Sequence, residues 1–418
     1  MTILFDLIFI IGLLFYLPLS MIRRKYHSGL WKRFGIFSKE IRKALAEKEN
    51  IWIHAVSVGE VMAVLKLVEV LREKYPDSGI VVSTVTRTGY DLAVSRLKGK
   101  AVVVFAPFDL SFAVRRYIRE IAPKIYIAAE TEIWPNLFTF LNRACVPIIQ
   151  VNGRISAESF RGYRRIGFLI RKVLSRVDVF CMQGERDVAR LLDLGVDPSK
   201  IVVTGSMKFD DLPGAEKQNP GLLGLQPDDI LWIAGSTHPG EEEVILNVYR
   251  KLRLQFKQLR LVIAPRHIER IFAVAKQVRI FGFHPVRFSK SKDSALDKSD
   301  VVIVDTIGHL RTLYSFADIV FVGKSLVGQG GQNIIEPAAF SKPILTGPHM
   351  QNFQGIFDAF LVDDAVICVR DESELFQQVE NLLKNPQTMR EVGDRARSVI
   401  EKNRGATQKT AEIISRLI

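Results

Sequence analysis

Cysteine is scarce, with three residues in 418 at positions 145, 181 and 368 and no Cys-x-x-Cys pair. That spacing excludes a disulfide scaffold and a cysteine-based zinc site, and it suits a reducing compartment. The seven histidines are scattered, with neither His-Glu-x-x-His nor His-x-x-x-His, so no metal is implied. Gly-x4-Gly-Lys-Ser/Thr is missing, which excludes a P-loop NTPase. No Gly-x-Gly-x-x-Gly follows the first apolar run, which argues against a dinucleotide oxidoreductase. Acidic residues are also in deficit, 45 against 58 Lys and Arg, leaving a net charge of +13.

That excess lies in two places. Residues 23–43 carry eight basic side chains (Arg23, Arg24, Lys25, Lys32, Arg33, Lys39, Arg42 and Lys43) against Glu40 alone. Residues 154–176 carry seven (Arg154, Arg161, Arg164, Arg165, Arg171, Lys172 and Arg176) against Glu158 alone. Together they account for the whole net charge. A polyanion is the expected partner, either nucleic acid or an anionic membrane.

The N-terminus favours the membrane. Residues 7–22, LIFIIGLLFYLPLSMI, hold no charge. With residues 3–6, Asp6 included, the span reaches the ~20 residues needed to cross a bilayer core. Arg23, Arg24 and Lys25 follow at once and no Lys or Arg precedes, so the positive-inside rule places the rest of the chain in the cytoplasm. A cleaved signal peptide would carry its positive charge before the apolar core. A helix lying flat at the interface is the further option, because Asp6 and Pro18 weaken the span.

From residue 50 onward, apolar runs alternate with amphipathic helical runs. The strands are expected at 51–56, 79–86, 101–106, 124–130 and 146–152, and again at 230–236, 259–265, 299–305, 317–323, 343–347 and 364–369. Continuous apolar strands separated by helices mark parallel sheets covered on both faces. The Pro, Gly and Asp-rich stretch 211–229 reads as a linker. The expected order is an anchor at 1–22, a basic segment at 23–49, an α/β domain at 50–210, the linker, a second α/β domain at 230–390 and a terminal helix at 391–418. Ligands should bind in a cleft outside the carboxyl ends of the strands.

Chemistry-bearing residues cluster at those strand ends. In HAVSVGE (54–60), Glu60 opens a helix and is a candidate general base, although Ser57-x-x-Glu60 is also a capping box. In ETEIWPN (130–136), two carboxylates precede Trp134-Pro135, and helix-terminal acids with Pro in the first turn are the bland alternative. Lys208 in GSMKFD (205–210) could face an anion or simply solvent. GSTHPGEEE (235–243) is a glycine-flanked turn whose N–H groups can take a phosphate or carboxylate. Arg266 in PRH (265–267) could grip a phosphate or form a structural ion pair. GQGGQNIIEPA (328–338) is a glycine loop running into a helix near Asn333, with Glu336 one turn on to accept from ribose hydroxyls.

In this order, the anchor with its Arg33-Phe34-Gly35 sequel, HAVSVGE, ETEIWPN, VNGRIS, GSMKFD, AGSTHPGEEE, APRH and GGQNIIEPAA resemble the 3-deoxy-D-manno-octulosonic acid (Kdo) transferases of lipopolysaccharide synthesis. The resemblance covers nearly the whole chain. It implies a GT-B architecture, two Rossmann-like domains facing a cleft, with an N-terminal membrane-anchor helix. It implies inverting transfer of Kdo from the donor CMP-Kdo to the lipid A precursor (lipid IVA), with no cofactor and no metal, on the cytoplasmic face of the inner membrane. The partners would be that donor, that acceptor and anionic inner-membrane lipid, and no nucleic acid. Glu60 would be the catalytic base, with Glu130 and Lys208 stabilising the transition state. CMP contacts would fall on Pro265, Arg266, Ile307, Gly308, His309, Asn333, Ile334, Ile335 and Glu336. No two aspartates are separated by one residue, so the D-x-D site of the other major glycosyltransferase architecture is missing. His309 stands where many members have Glu, Gln332 where His is common, and Lys324 where Gly is common. The alternative is another membrane-associated GT-B transferase using a uridine nucleotide sugar.

Overall fold

The computed structural model describes residues 2–3, 5–7, 9–12, 31–46, 48–210, 223–293 and 300–418. The chain divides into two units, residues 1–211 with 404–418, and residues 212–403. Most of the expected linker, residues 211–222, lies outside the described residues.

The first unit is built on a seven-stranded sheet of β1 (Asn50–His54), β2 (Gly79–Thr84), β3 (Val102–Phe105), β4 (Pro123–Ala129), β5 (Ile148–Gly153), β6 (Val179–Met182) and β7 (Ile201–Val203). Their order is β3-β2-β1-β4-β5-β6-β7, and every pairing is parallel. The strands read as unbroken apolar runs because both faces are covered. Ile51, Ile53, Ile125 and Ile127 enter one buried layer, while Trp52 and Tyr126 enter the other. This is the period-two alternation of a strand. The chain winds outward from β1 to β3 and returns to β4 on the other side of β1. The order therefore reverses between β1 and β4, where a doubly wound sheet opens a crevice.

The second unit repeats the plan with β8 (Ile230–Thr237), β9 (Leu259–Pro265), β10 (His284–Arg287), β11 (Asp300–Ile303), β12 (Ile319–Val322), β13 (Ile344–Thr346) and β14 (Ile367–Cys368). The order is β10-β11-β9-β8-β12-β13-β14, again all parallel. Its reversal falls between β8 and β12.

One sequence expectation changes. The C-terminal run is three helices, Glu372–Lys384, Pro386–Asn403 and Ala406–Ile414. The last returns to the first unit, where Ala406, Ala411 and Ile414 join the core layer of Val61 and Val64. The Asp210 carboxylate accepts the N–H groups of Gly405 and Thr407 there, each at 2.6 Å.

The expected N-terminal anchor falls largely outside the described residues. Among the described residues no helix is long and apolar enough to cross a membrane, and residues 1, 4, 8 and 13–30 lie outside them. Asp6 is engaged within the first unit. Its carboxylate accepts from the Ser111 N–H at 2.8 Å and from Asn136 Nδ2 at 3.0 Å, because the first N–H groups of a helix need acceptors. Phe5 and Phe9 pack against the domain, while Ile3, Leu7, Ile10 and Ile11 are exposed. The first basic cluster is partly structural as well. Arg33 is buried, donating from Nε to the Ala106 carbonyl at 3.0 Å, with its guanidinium over the Phe108 ring.

Candidate active site

The reversal point of the first sheet brings Glu60, Glu130 and Lys208 to one edge. Glu60 lies in the first turn of the helix Val58–Lys74, directly after β1. The capping box is real. Ser57 Oγ accepts the Glu60 N–H and donates to Glu60 Oε1 at 2.9 Å, while Glu60 Oε2 accepts the Val56 N–H at 2.7 Å. The cap and the candidate base are the same side chain, fixed by its own helix terminus. Only 7% of Glu60 is exposed. Burial, reinforced by the nearby Glu132 and Glu130 carboxylates, pushes its pKa up to about 8.

Glu130 closes β4 in a left-handed conformation, φ 52°, which few non-glycine residues adopt and which costs of order 1–3 kcal/mol. Its carboxylate forms an ion pair with Lys208 Nζ at 3.0 Å. Lys208 sits in a single 3-10 turn, Met207–Phe209. Asn152, at the end of β5, holds that turn by accepting the Met207 N–H at 3.0 Å. Sequence reasoning passed over Asn152 as a support. Its signal was the Asn-Gly pair ending an apolar run, since Asn tolerates the left-handed φ of 53° found there.

The bland reading of ETEIWPN fails for its acids. Pro135 does open the helix Pro135–Arg143. Asp109 caps it, accepting from the N–H groups of Asn136 at 3.0 Å and Leu137 at 2.8 Å. Neither Glu130 nor Glu132 serves as that cap.

In the second unit the GSTHPGEEE turn is filled by its own chain. Glu241 is fully buried. Its carboxylate accepts four N–H groups, from His238 at 2.9 Å, Lys324 at 2.7 Å, Ser325 at 2.9 Å and Leu326 at 3.0 Å. Glu241 ties the loop after β8 to the loop after β12. Lys324 adopts φ 58°, a conformation that suits the glycine common at this position in the resembled family.

The glycine loop keeps positive φ at Gly330 (118°) and Gly331 (70°). Its amides there are also spent internally. The Gly330 N–H goes to Gln351 Oε1 at 2.9 Å and the Gly331 N–H to the Lys324 carbonyl at 2.8 Å. The helix beyond is short, Ile335–Ala338. Asn333 Oδ1 accepts the Ile335 N–H at 3.0 Å, and Asn333 Nδ2 donates to Glu336 Oε1 at 3.2 Å. Ile334 and Ile335 are buried, while Ile307, Gly308 and His309 are exposed.

Pro265 ends β9 and Arg266 is exposed just beyond it. Among the described residues Arg266 has no side-chain ion pair. That structural role falls to Arg270, whose guanidinium forms two hydrogen bonds with the buried Glu242 carboxylate, at 2.7 and 3.1 Å. Among the described residues no group of three His, Cys, Asp or Glu could hold a metal ion.

The sequence of a 3-deoxy-D-manno-octulosonic acid transferase from Haemophilus influenzae is 33% identical over 400 residues, covering 95% of this chain and 93% of that protein. The chain belongs to the Kdo transferases. A second Kdo transferase, from Chlamydophila psittaci, is 30% identical and covers 100% of this chain and 96% of its own. The family's N-terminal domain model, 3-Deoxy-D-manno-octulosonic-acid transferase (kdotransferase), matches residues 28–211. In fold, this Kdo transferase is similar to UDP-GlcNAc 2-epimerase from Neisseria meningitidis. The TM-score is 0.62 at 13% identity, covering 88% of this chain and 100% of that one. The match supports the two parallel-sheet α/β domains. The chain is thus a glycosyltransferase of known family, with Glu60, Glu130 and Lys208 in its first unit.

Proposed function

We propose that this Kdo transferase moves Kdo from CMP-Kdo to the lipid A precursor, with inversion and without metal, and that Glu60 is the base. One observation carries the reading. A buried carboxylate with a pKa near 8 stands at the reversal point of the first sheet, and a general base works best when its pKa lies near the operating pH. Glu60 would take the proton of the acceptor hydroxyl as that oxygen attacks the anomeric carbon and CMP departs. Lys208, oriented by Glu130, would offset the negative charge that develops. Pro265, Arg266, Ile307, Gly308, His309 and the Asn333–Glu336 segment would contact CMP. Arg266 supports this by being exposed and without a side-chain ion pair among the described residues.

The acceptor is a lipid, so the enzyme works at an anionic inner-membrane surface, on its cytoplasmic face. Phe168 is 79% exposed, and Ile166 and Phe168 lie between Arg161, Arg165 and Lys172. Each Lys or Arg near such a leaflet contributes roughly 1 kcal/mol. The N-terminal residues, docked through Asp6 with Ile3, Leu7, Ile10 and Ile11 exposed, would lie in the interface.

The test is product analysis by mass spectrometry with purified protein, CMP-Kdo and lipid IVA. Glu60→Gln should lose ~10²–10⁴-fold in transfer while still binding CMP. Near-normal transfer by a folded Glu60→Gln protein overturns the base assignment. Inhibition by UDP and not CMP would favour the uridine-nucleotide alternative.

A further inference from the structure

One cavity in the first unit lies apart from the residues the mechanism uses. It measures about 280 Å³ and is lined by Thr2, Thr139, Asn142, Arg143, Lys172 and Arg176. Thr139, Asn142 and Arg143 belong to the C-terminal half of the helix Pro135–Arg143. Lys172 is in the last turn of the helix Gly167–Leu174, and Arg176 follows it. The two helices pack together, so two helix C-termini meet at one opening. Pro135 begins its helix beside the loop that carries Glu130, and Arg143 ends it ~12 Å further along the axis, at 1.5 Å per residue. The cavity is therefore a different site from the Glu60 centre.

Cations at helix C-termini are ordinary, because each end carries about −0.5 charge. Arg176 fills that role in part, with Nη1 donating to the Lys172 carbonyl. Two ends supply only about −1 against three cations, and about +2 is left over. No carboxylate lines the cavity, and none of the three cations forms an ion pair among the described residues. The excess is held in place. Arg143 lies over the Phe140 ring, 5.2 Å from its centroid. Arg176 is half-buried, and burial, then the nearby Arg143, lower its pKa. The Asn142 side-chain amide has no hydrogen-bond partner among the described residues and is a further donor.

The N-terminal segment runs beside the same helix, since Thr2 lines the cavity at its C-terminal end while Asp6 accepts from Asn136 at its N-terminal end. Ile3, Leu7, Ile10 and Ile11 of this segment are exposed. An apolar strip thus begins next to a cationic cavity, which complements an anionic amphiphile. A phosphomonoester carries about −1.5 to −2 at pH 7, and it matches the leftover charge better than a singly charged phosphodiester does. We propose that the cavity takes the phosphate of an anionic bilayer lipid, a phosphomonoester in preference, while Ile3, Leu7, Ile10 and Ile11 enter the acyl layer beside it. The inference deepens the membrane reading above and rests on it.

The experiment is co-sedimentation of the full chain with phosphatidylcholine vesicles containing phosphatidate, or phosphatidylglycerol at matched total charge. Wild type should bind the phosphatidate vesicles several-fold more tightly. Arg143→Gln/Lys172→Gln alters two exposed side chains. It should lose ~30-fold on phosphatidate, two cations' worth, and with it the preference. Arg161→Gln/Arg165→Gln removes the same charge outside the cavity, and it should weaken binding to both vesicles alike and keep the preference. Circular dichroism checks the fold, and if Arg143→Gln/Lys172→Gln does not fold, Lys172→Gln alone should still shrink the preference. Equal binding of wild type to the two vesicles, or a preference that survives Arg143→Gln/Lys172→Gln, overturns the proposal. Release of wild type by inorganic phosphate at the phosphatidate concentration marks a free-anion site and overturns the lipid assignment. Binding to neither vesicle overturns the membrane reading as well, whereas equal binding leaves that reading standing.

Discussion

Replacing Glu60 by Gln should stabilise the first unit at alkaline pH. The folded pKa is about 8 against an ordinary 4.5. Between those values the folded protein holds a proton that the unfolded chain has released. The unfolded state thus binds fewer protons, and stability falls as pH rises from ~4.5 to ~8. At 1.36 kcal/mol per pKa unit, the carboxylate costs about 3–5 kcal/mol at pH 8.5 and almost nothing at pH 4.5. Gln can keep both local hydrogen bonds, accepting from the Val56 N–H and donating to Ser57 Oγ. In a unit of about 220 residues, where 1 kcal/mol shifts Tm by ~2–4 °C, the gain at pH 8.5 should be roughly 10 °C. The assay is thermal unfolding of wild type and Glu60→Gln from pH 4.5 to 9. Asp109 also has a raised pKa, but both proteins contain it, so the difference between the curves reports Glu60 together with any response of the neighbouring Glu132. If the two melting temperatures run parallel across that range, the carboxylate is not held against its charge. The physical basis for its strength as a base is then wrong.

Two stability predictions address the scaffold. Asp109→Ala removes the acceptor for two buried N–H groups of the helix Pro135–Arg143 and should cost about 2 kcal/mol in urea unfolding. Arg270→Ala leaves the Glu242 carboxylate, whose side chain is 0% exposed, buried without its cation. It should cost about 3–5 kcal/mol, and adding Glu242→Gln should recover part of the loss in the same assay.

The parallel sheets were legible because burial on both faces leaves apolar runs, such as AVVVFA at 101–106. What escaped has identifiable causes. Strand β10 is HPVR, a mostly solvated edge strand that accommodates Pro285, so hydrophobicity could not mark it. The return of the last helix to the first unit depends on Asp210 capping residues almost two hundred positions away, and local pattern carries no such information. At the site, the strand-end motifs were visible but their division of labour was not. A capping box and a candidate base have the same spacing, and the structure shows the capping contacts on the side chain proposed as the base. The acids of ETEIWPN looked like helix caps until Asp109, in a different loop, proved to hold the N–H groups. That reassignment leaves Glu130 to pair with Lys208. In the second unit, Glu241 spends its carboxylate on one N–H of its own turn and on three of the loop after β12, a tie between distant loops that spacing does not show. Motif spacing marks where a strand end is chemically equipped. Which acid caps, which pairs and which keeps its proton is decided by neighbours distant in sequence.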